Sequence, residues 1–199
     1  MKKEIKTYIF DFGDVFINLD KPATLRELSK LGKSDFNDEM LKMNKLYEKG
    51  MISTDDFLQF YQSQFPQASK QQLADAWNSI ILDFPAYRLQ FLEDFSQTHQ
   101  CYLLSNINDL HLTYIKANLD KAFYKQFINC FDKVYYSHKI HLRKPDAEIY
   151  KFVLNNAGLQ ANECLFIDDT LYNIQAAQQA GMQVWHLLPE EDVINILAR

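Results

Sequence analysis

Three acids, a hydroxyl and a lysine stand where this chain could use them to move a phosphoryl group. Asp11 follows the apolar run Thr7–Phe10, Ser105-Asn106 follows the run 101–104, and Asp168-Asp169-Thr170 follows the run 164–167. Lys144 lies in the basic segment 138–145, beyond the run 134–136. Carboxylates brought close together repel unless something compensates. A hard cation with oxygen ligands does so, and Mg2+ suits carboxylate, water and phosphate together. Such an ion would polarise phosphate oxygens. Ser105 would donate a hydrogen bond to the phosphate, and backbone N–H groups of the first turn and of the helix after the second strand would donate more. A lysine on the same rim would balance charge on the nucleophile and on the transferred group. Asp11, held in line, would attack phosphorus to give an aspartyl-phosphate that water later hydrolyses. Each residue alone has a plainer reading, as a turn former, a helix N-cap or an ordinary loop lysine. Their order across successive strand ends is what points to chemistry.

The elements that must position these groups follow from hydrophobic pattern. Thr7–Phe10 predicts a first strand, and Val15-Phe16-Ile17 after a glycine turn predicts a short hairpin or flap. Residues 20–84 carry helical spacing and no convincing strand: Met40, Met43, Leu46 and Tyr47 recur on one face, and Gly50 stops that helix. Ser53 with Asp56, and Ser69 with Gln72, read as capping boxes for helices through Phe57, Phe60 and Tyr61 and through Leu73, Trp77 and Ile80. After residue 85, helices alternate with short apolar strands at 101–104, 134–136, 164–167 and 184–187. The helix Ala147–Ala157 is closed by Gly158 and the helix 171–180 by Gly181. Strands apolar throughout and alternating with helices predict an α/β fold, a parallel sheet covered on both faces. Ligands of such a sheet bind beyond the carboxyl ends of the strands, where the acids and the lysine fall. The expected division is a Rossmann-like core of residues 1–19 and 85–199 with an inserted helical cap of residues 20–84.

Bulk properties narrow the class. With 199 residues the chain can bury one core plus a small subdomain, and at 47% hydrophobic and 24% charged it is not a disordered chain. A net charge of -5 argues against a protein that grips nucleic acid through its phosphates. Cys101, Cys130 and Cys164 form no close pair for zinc or redox work, and Cys101 and Cys164 read as small buried hydrophobes. No apolar run reaches membrane-spanning length, and the opening MKKEIKTYIFDFG lacks a signal-peptide pattern. The expectation is a cytoplasmic protein acting on a small phosphorylated metabolite, with no nucleic acid or membrane partner and an oligomeric state left open.

Four ordered motifs, YIFDFGDV at 8–15, LLSN at 103–106, RKP at 143–145 and LFIDDT at 165–170, resemble the haloacid-dehalogenase-like hydrolase superfamily over about residues 5–190. The resemblance implies a Rossmann-like sheet with a cap, a Mg2+ cofactor and Asp11 as nucleophile. It implies Asp11, Asp168 and the main-chain carbonyl of Gly13 as metal ligands, with Asp169 as a further ligand or the group that orients metal-bound water. Ser105 would bind phosphate, Asn106 would sit beside it, Lys144 would stabilise charge, and Asn173 would brace the acidic loop. Within the superfamily the chain looks most like small bacterial sugar-phosphate phosphatases, including those acting on alpha-D-glucose 1-phosphate. YEKGMISTDDF at 47–57 and Leu171-Tyr172-Asn173-Ile174 after the paired acids carry that likeness.

One position breaks the pattern. Most phosphatases of the superfamily place a second Asp, the general acid and base, two residues after the nucleophile; here that residue is Gly13. A positioned proton donor is worth about 10²–10⁴ in rate. Three accounts follow: a leaving group acidic enough to need little help, Asp14 serving from one residue later, or a site that binds with low turnover and acts as an interaction protein. The metal-independent haloacid dehalogenases also lack the second Asp, because attack at carbon needs no proton donor, but Phe12-Gly13-Asp14 fits their first turn poorly. His138 and His141 could hold a metal, although a polar loop or a substrate-side contact is the simpler reading. His186 is uninformative. Tyr47, Phe57 and Trp77 read as cap core before site wall, and Phe16 and Asn18 are open between the two.

Overall fold

The computed structural model describes residues 3–32 and 35–198. Met1, Lys2 and Arg199, which the expected 1–19 and 85–199 segments and the signal-peptide reading include, and Lys33 and Ser34 of the 20–84 segment, lie outside the described residues. Five strands, β1 (Thr7–Phe10), β2 (Gln100–Ser105), β3 (Lys133–Tyr136), β4 (Cys164–Asp168) and β5 (Gln183–His186), form one sheet in the order β3-β2-β1-β4-β5. Every neighbouring pair is parallel. This is the expected α/β class.

Alternation along the strands builds two cores. Phe10, Leu103, Leu165 and Ile167 point to one face, where they meet Leu92, Phe95, Phe127 and Phe131. Ile9, Tyr102, Leu104 and Phe166 point to the other, against Ile149, Tyr150, Val153 and Ile174. Ten helices run between the strands among the described residues: α1 (Ala23–Lys30), α2 (Asp38–Glu48), α3 (Thr54–Gln64), α4 (Lys70–Asn78), α5 (Ala86–Ser96), α6 (Asp109–Asn118), α7 (Lys121–Asn129), α8 (Ser137–Ile140), α9 (Ala147–Ala157) and α10 (Leu171–Gln179).

α1 to α4 share a separate cluster of Leu28, Met40, Tyr47, Phe57, Tyr61, Phe65 and Leu73. Tyr47 and Phe57 stack at 4.1 Å, and each such ring stabilises by about 1.5–3 kcal/mol when fully buried. Both capping boxes form: the Ser53 hydroxyl accepts from Asp56 N–H and the Ser69 hydroxyl from Gln72 N–H. α1 and α7 carry no such plain signature, although Asp120 caps α7 by accepting from Ala122 and Phe123 N–H. The 15–17 stretch makes only an isolated bridge between Gly13 and Ile17. Phe16 and Ile17 N–H both donate to the Phe12 carbonyl, and Val15 and Phe16 are fully buried. The stretch is a tight turn in the core, because Phe16 packs among Phe10, Phe84, Phe127 and Phe131.

Candidate active site

Adjacent strands deliver the acids side by side. Asp168 is the last residue of β4, and Asp11 follows β1, its N–H donating to the Ile167 carbonyl at 2.9 Å. One carboxylate oxygen from each of Asp11, Asp168 and Asp169 lies within 4.8 Å of the other two. Lys144 comes in from the loop after β3. Its Nζ stands 2.7 Å from Asp11 Oδ1 and 2.6 Å from Asp168 Oδ2, with Lys144 and Asp168 both at 0% exposure. Lys144 and Asp168 are thus sealed from water at the base of the cluster, while Asp11 and Asp169 keep a partly exposed edge.

The charges shape each other's titration. Burial, opposed by Lys144 and assisted by Asp168 and Asp169, pushes the Asp11 carboxyl up to about 7. For Lys144, burial pulls the pKa down, but Asp11 and Asp168 outweigh it and hold the ammonium above its ordinary value. A hard divalent ion fits this all-carboxylate donor set, since it would relieve the repulsion among the three acids.

Surrounding groups fix the acids in place. Asn173 Nδ2 donates to both oxygens of Asp168 at 3.1 and 3.0 Å, and Thr170 N–H donates to Asp168 Oδ1 at 2.8 Å. Tyr150 Oη donates to the Asn173 carbonyl at 2.9 Å. No side chain caps α10, and α6 is capped by Asn108, so neither the acidic pair nor Ser105 is spent as a helix cap. Asn106 is committed to Lys144: its Oδ1 accepts from Lys144 N–H at 2.9 Å and its Nδ2 donates to the Lys144 carbonyl at 2.8 Å. Its amide anchors the lysine loop rather than standing free beside a phosphate.

Asp14 is also committed. It sits at φ 53°, its Oδ1 accepts from Leu19 N–H at 2.9 Å, and Lys21 Nζ lies 3.0 Å from its Oδ2. Gly13 leaves room for Leu19, whose Cδ1 would stand 2.7 Å from a Cβ at position 13. The two histidines of 138–141 turn to backbone: His138 Nδ1 donates to the Ile107 carbonyl at 2.7 Å and His141 Nδ1 to the Lys49 carbonyl at 2.9 Å. Tyr47 and Phe57 are core residues, and Trp77 both packs on Phe57 and lines a cavity.

Several residues at the site make contacts that no sequence signal marks. Lys21 reaches Asp169 as well as Asp14. Arg143 Nε donates to Glu48 Oε2 at 2.8 Å, joining the lysine loop to the end of α2. His186 Nε2 donates to the Asp169 carbonyl at 3.0 Å. All three depend on pairings far apart in the chain. An open cleft of about 430 Å3 is lined by Asp11, Gly13, Lys21, Glu48, Asn106, Lys144 and Asp169 among others. Ser105, buried at the end of β2, lines a smaller adjoining cavity together with Gly13 and Asn106.

The profile described as haloacid dehalogenase-like hydrolase matches residues 8–187. The chain is 25% identical over 187 residues to a D-ribitol-5-phosphate phosphatase of Bacteroides thetaiotaomicron, covering 91% of each. It is 29% identical over 190 residues to the sesquiterpene phosphatase astK of Aspergillus oryzae, covering 92% of this chain and 89% of that protein. A HAD family enzyme of Bacteroides thetaiotaomicron, solved in complex with magnesium and inorganic phosphate, superposes with a TM-score of 0.85 at 31% identity, over 98% of this chain and 100% of that one. An L-2-haloacid dehalogenase from Xanthobacter autotrophicus shares the fold alone, at a TM-score of 0.60 and 18% identity over 92% of this chain and 77% of that one. No helix among the described residues is long and apolar enough to cross a membrane.

Proposed function

The chain belongs to the haloacid dehalogenase-like hydrolase family, and on that premise we propose that it is a magnesium-dependent phosphatase of small phosphomonoesters that works through an aspartyl-phosphate on Asp11. The observation that carries this reading is the buried Lys144 ammonium held between Asp11 and Asp168, with Asp169 completing a cluster of three acids. A magnesium complex with phosphate in a 31%-identical relative, and the phosphatase activity named for two others, support it.

Asp11, Asp168, Asp169 and the Gly13 carbonyl would hold Mg2+, which would neutralise charge and polarise the phosphate. In the first step an Asp11 oxygen forms a bond to phosphorus, and the bond from phosphorus to the alcohol oxygen breaks. The alcohol leaves with the electron pair and takes a proton from solvent, Gly13 having no acid to offer. Water then attacks phosphorus, inorganic phosphate departs and the Asp11 carboxylate is restored. Lys144 offsets charge on Asp11 and on the transferred group, while Ser105 donates to a phosphate oxygen. Asn106 serves through its hold on Lys144. Residues 20–84 act as a cap over a core of 1–19 and 85–199, in a cytoplasmic protein. Sugar phosphates such as a hexose 1-phosphate are the substrates that the sequence resemblance offers.

The test is phosphate release from a panel of phosphomonoesters with Mg2+, with EDTA, and with Mg2+ restored. Activity lost to EDTA and regained with Mg2+ fits the proposal. Halide release from a 2-haloacid in EDTA would favour the dehalogenase instead. Phosphate binding without turnover of any ester would favour an interaction protein.

A further inference from the structure

We propose that the alcohol this site releases has a compact, largely apolar body; the inference rests on the phosphatase reading of the same site and sets an apolar substrate in place of the sugar phosphates that the sequence resemblance offers. A cavity of about 180 Å3 adjoins the cleft that holds Asp11 and Lys144, and the two share Gly13, Leu19, Glu48, Ile80 and Asn106 in their walls. A phosphate ester seated at Asp11 therefore has this cavity beside it for the rest of the molecule.

The walls are mostly apolar, with Phe12, Ile17, Trp77, Ile81, Ile107 and Ile115 among them. Several of the polar groups on the walls are already engaged, while the Trp77 indole N–H is buried without a partner and Ser105 is the group assigned to the phosphate. The Thr24 hydroxyl donates to the Trp77 carbonyl at 3.4 Å, and His111 Nε2 donates to the same carbonyl at 3.0 Å. The other His111 nitrogen meets Asn108 Nδ2 at 3.2 Å, and Asn108 Oδ1 accepts from His111 N–H at 2.8 Å. Glu48 accepts from Arg143 at 2.8 Å. A polyol entering here would leave water and find one free donor, the Trp77 indole N–H, for its several hydroxyls, which penalises each buried hydroxyl left without a partner. An apolar body meets no such penalty and gains from burial.

Size sets the upper limit. An engineered apolar cavity of about 150 Å3 accepts one benzene molecule, so this one suits a body of roughly six to eight carbons.

Four probes test the inference on the intact protein with Mg2+: acetyl phosphate, benzyl phosphate, alpha-D-glucose 1-phosphate and D-ribitol 5-phosphate. The expected result is a kcat/KM for benzyl phosphate at least about tenfold above either polyol phosphate, carried mainly by KM. Ile81→Asn, on the cavity wall, is expected to lower kcat/KM for benzyl phosphate about tenfold and to leave acetyl phosphate within about twofold, with Ile81→Val close to the parent. Preference for either polyol phosphate overturns the inference and leaves the phosphatase reading standing. An equal fall for benzyl and acetyl phosphate in Ile81→Asn also overturns it, by showing a merely structural wall. No phosphate released from any probe, acetyl phosphate included, overturns the phosphatase reading and the inference with it.

Discussion

Asn106 and the main chain of Lys144 bind each other twice, the amide oxygen accepting from Lys144 N–H at 2.9 Å and the amide nitrogen donating to the Lys144 carbonyl at 2.8 Å. The pair ties the loop after β3 to the end of β2, and it sets where the Lys144 ammonium enters between Asp11 and Asp168. Asn106 is therefore a positioning residue. Asn106→Ala is expected to lower kcat by roughly 10²-fold, the scale of a misplaced catalytic group. Product inhibition by inorganic phosphate should change little. A large loss of phosphate affinity with kcat preserved would instead make Asn106 a direct phosphate ligand.

Lys144 is the sole cation within hydrogen-bond reach of two buried acids among the described residues. Removing it leaves both uncompensated, which costs about 3–5 kcal/mol when a buried pair is broken. Urea unfolding of Lys144→Met in EDTA should show that loss, and added Mg2+ should recover part of it. If the variant is as stable as the parent in EDTA, the buried charge cluster is not formed as described.

Asp14 stands one residue past the glycine where a proton donor is missing, yet its carboxylate is held by Leu19 N–H and Lys21. Asn keeps the acceptor oxygen and tolerates the left-handed backbone at φ 53°. Asp14→Asn is expected to release phosphate within about threefold of the parent, against the 10²–10⁴ that loss of a true general acid would cost. A loss in the latter range would assign the acid to Asp14.

His111 gives a pH signature away from the acids. Burial beside the apolar cavity lowers its pKa from 6.5 to about 4, against the pull of its bond to the Trp77 carbonyl. Between those values the unfolded chain binds more protons than the folded one, so stability rises with pH across that window. This contribution is complete above about pH 6.5 and is lost as pH falls through about 4. Urea midpoints for His111→Gln should fall less steeply than the parent's between about pH 7 and 5. Parallel curves would show that His111 titrates normally in the folded protein.

How much of this was legible beforehand follows from the range of the interactions. Thr7–Phe10 and Ala147–Ala157 read correctly to the residue because each is one uninterrupted pattern with a local stop, Asp11 in one case and Gly158 in the other. Both capping boxes read correctly because a cap spans four residues. Asp11, Lys144, Asp168 and Asp169 could be placed on one rim because strand ends of a parallel sheet share an edge. The 15–17 stretch is a core turn and not a hairpin or flap: its apolar run answers to the rings of Phe84, Phe127 and Phe131, which no short window contains. Lys21, Glu48 and His186 escaped for the same reason. Lys21 meets an acid 148 positions away, Glu48 pairs with Arg143 across 95, and His186 holds the Asp169 carbonyl across 17.

The central claim is that the phosphoryl group passes through Asp11. It is tested most directly by mixing the protein and Mg2+ with 32P-labelled acetyl phosphate, quenching in acid within one turnover and mapping the labelled peptide. The account predicts hydroxylamine-sensitive label on the peptide spanning residues 8–17, absent in Asp11→Asn together with at least about a thousandfold of the activity. Turnover with no label there, or an Asp11→Asn protein that keeps the parent rate, would contradict it.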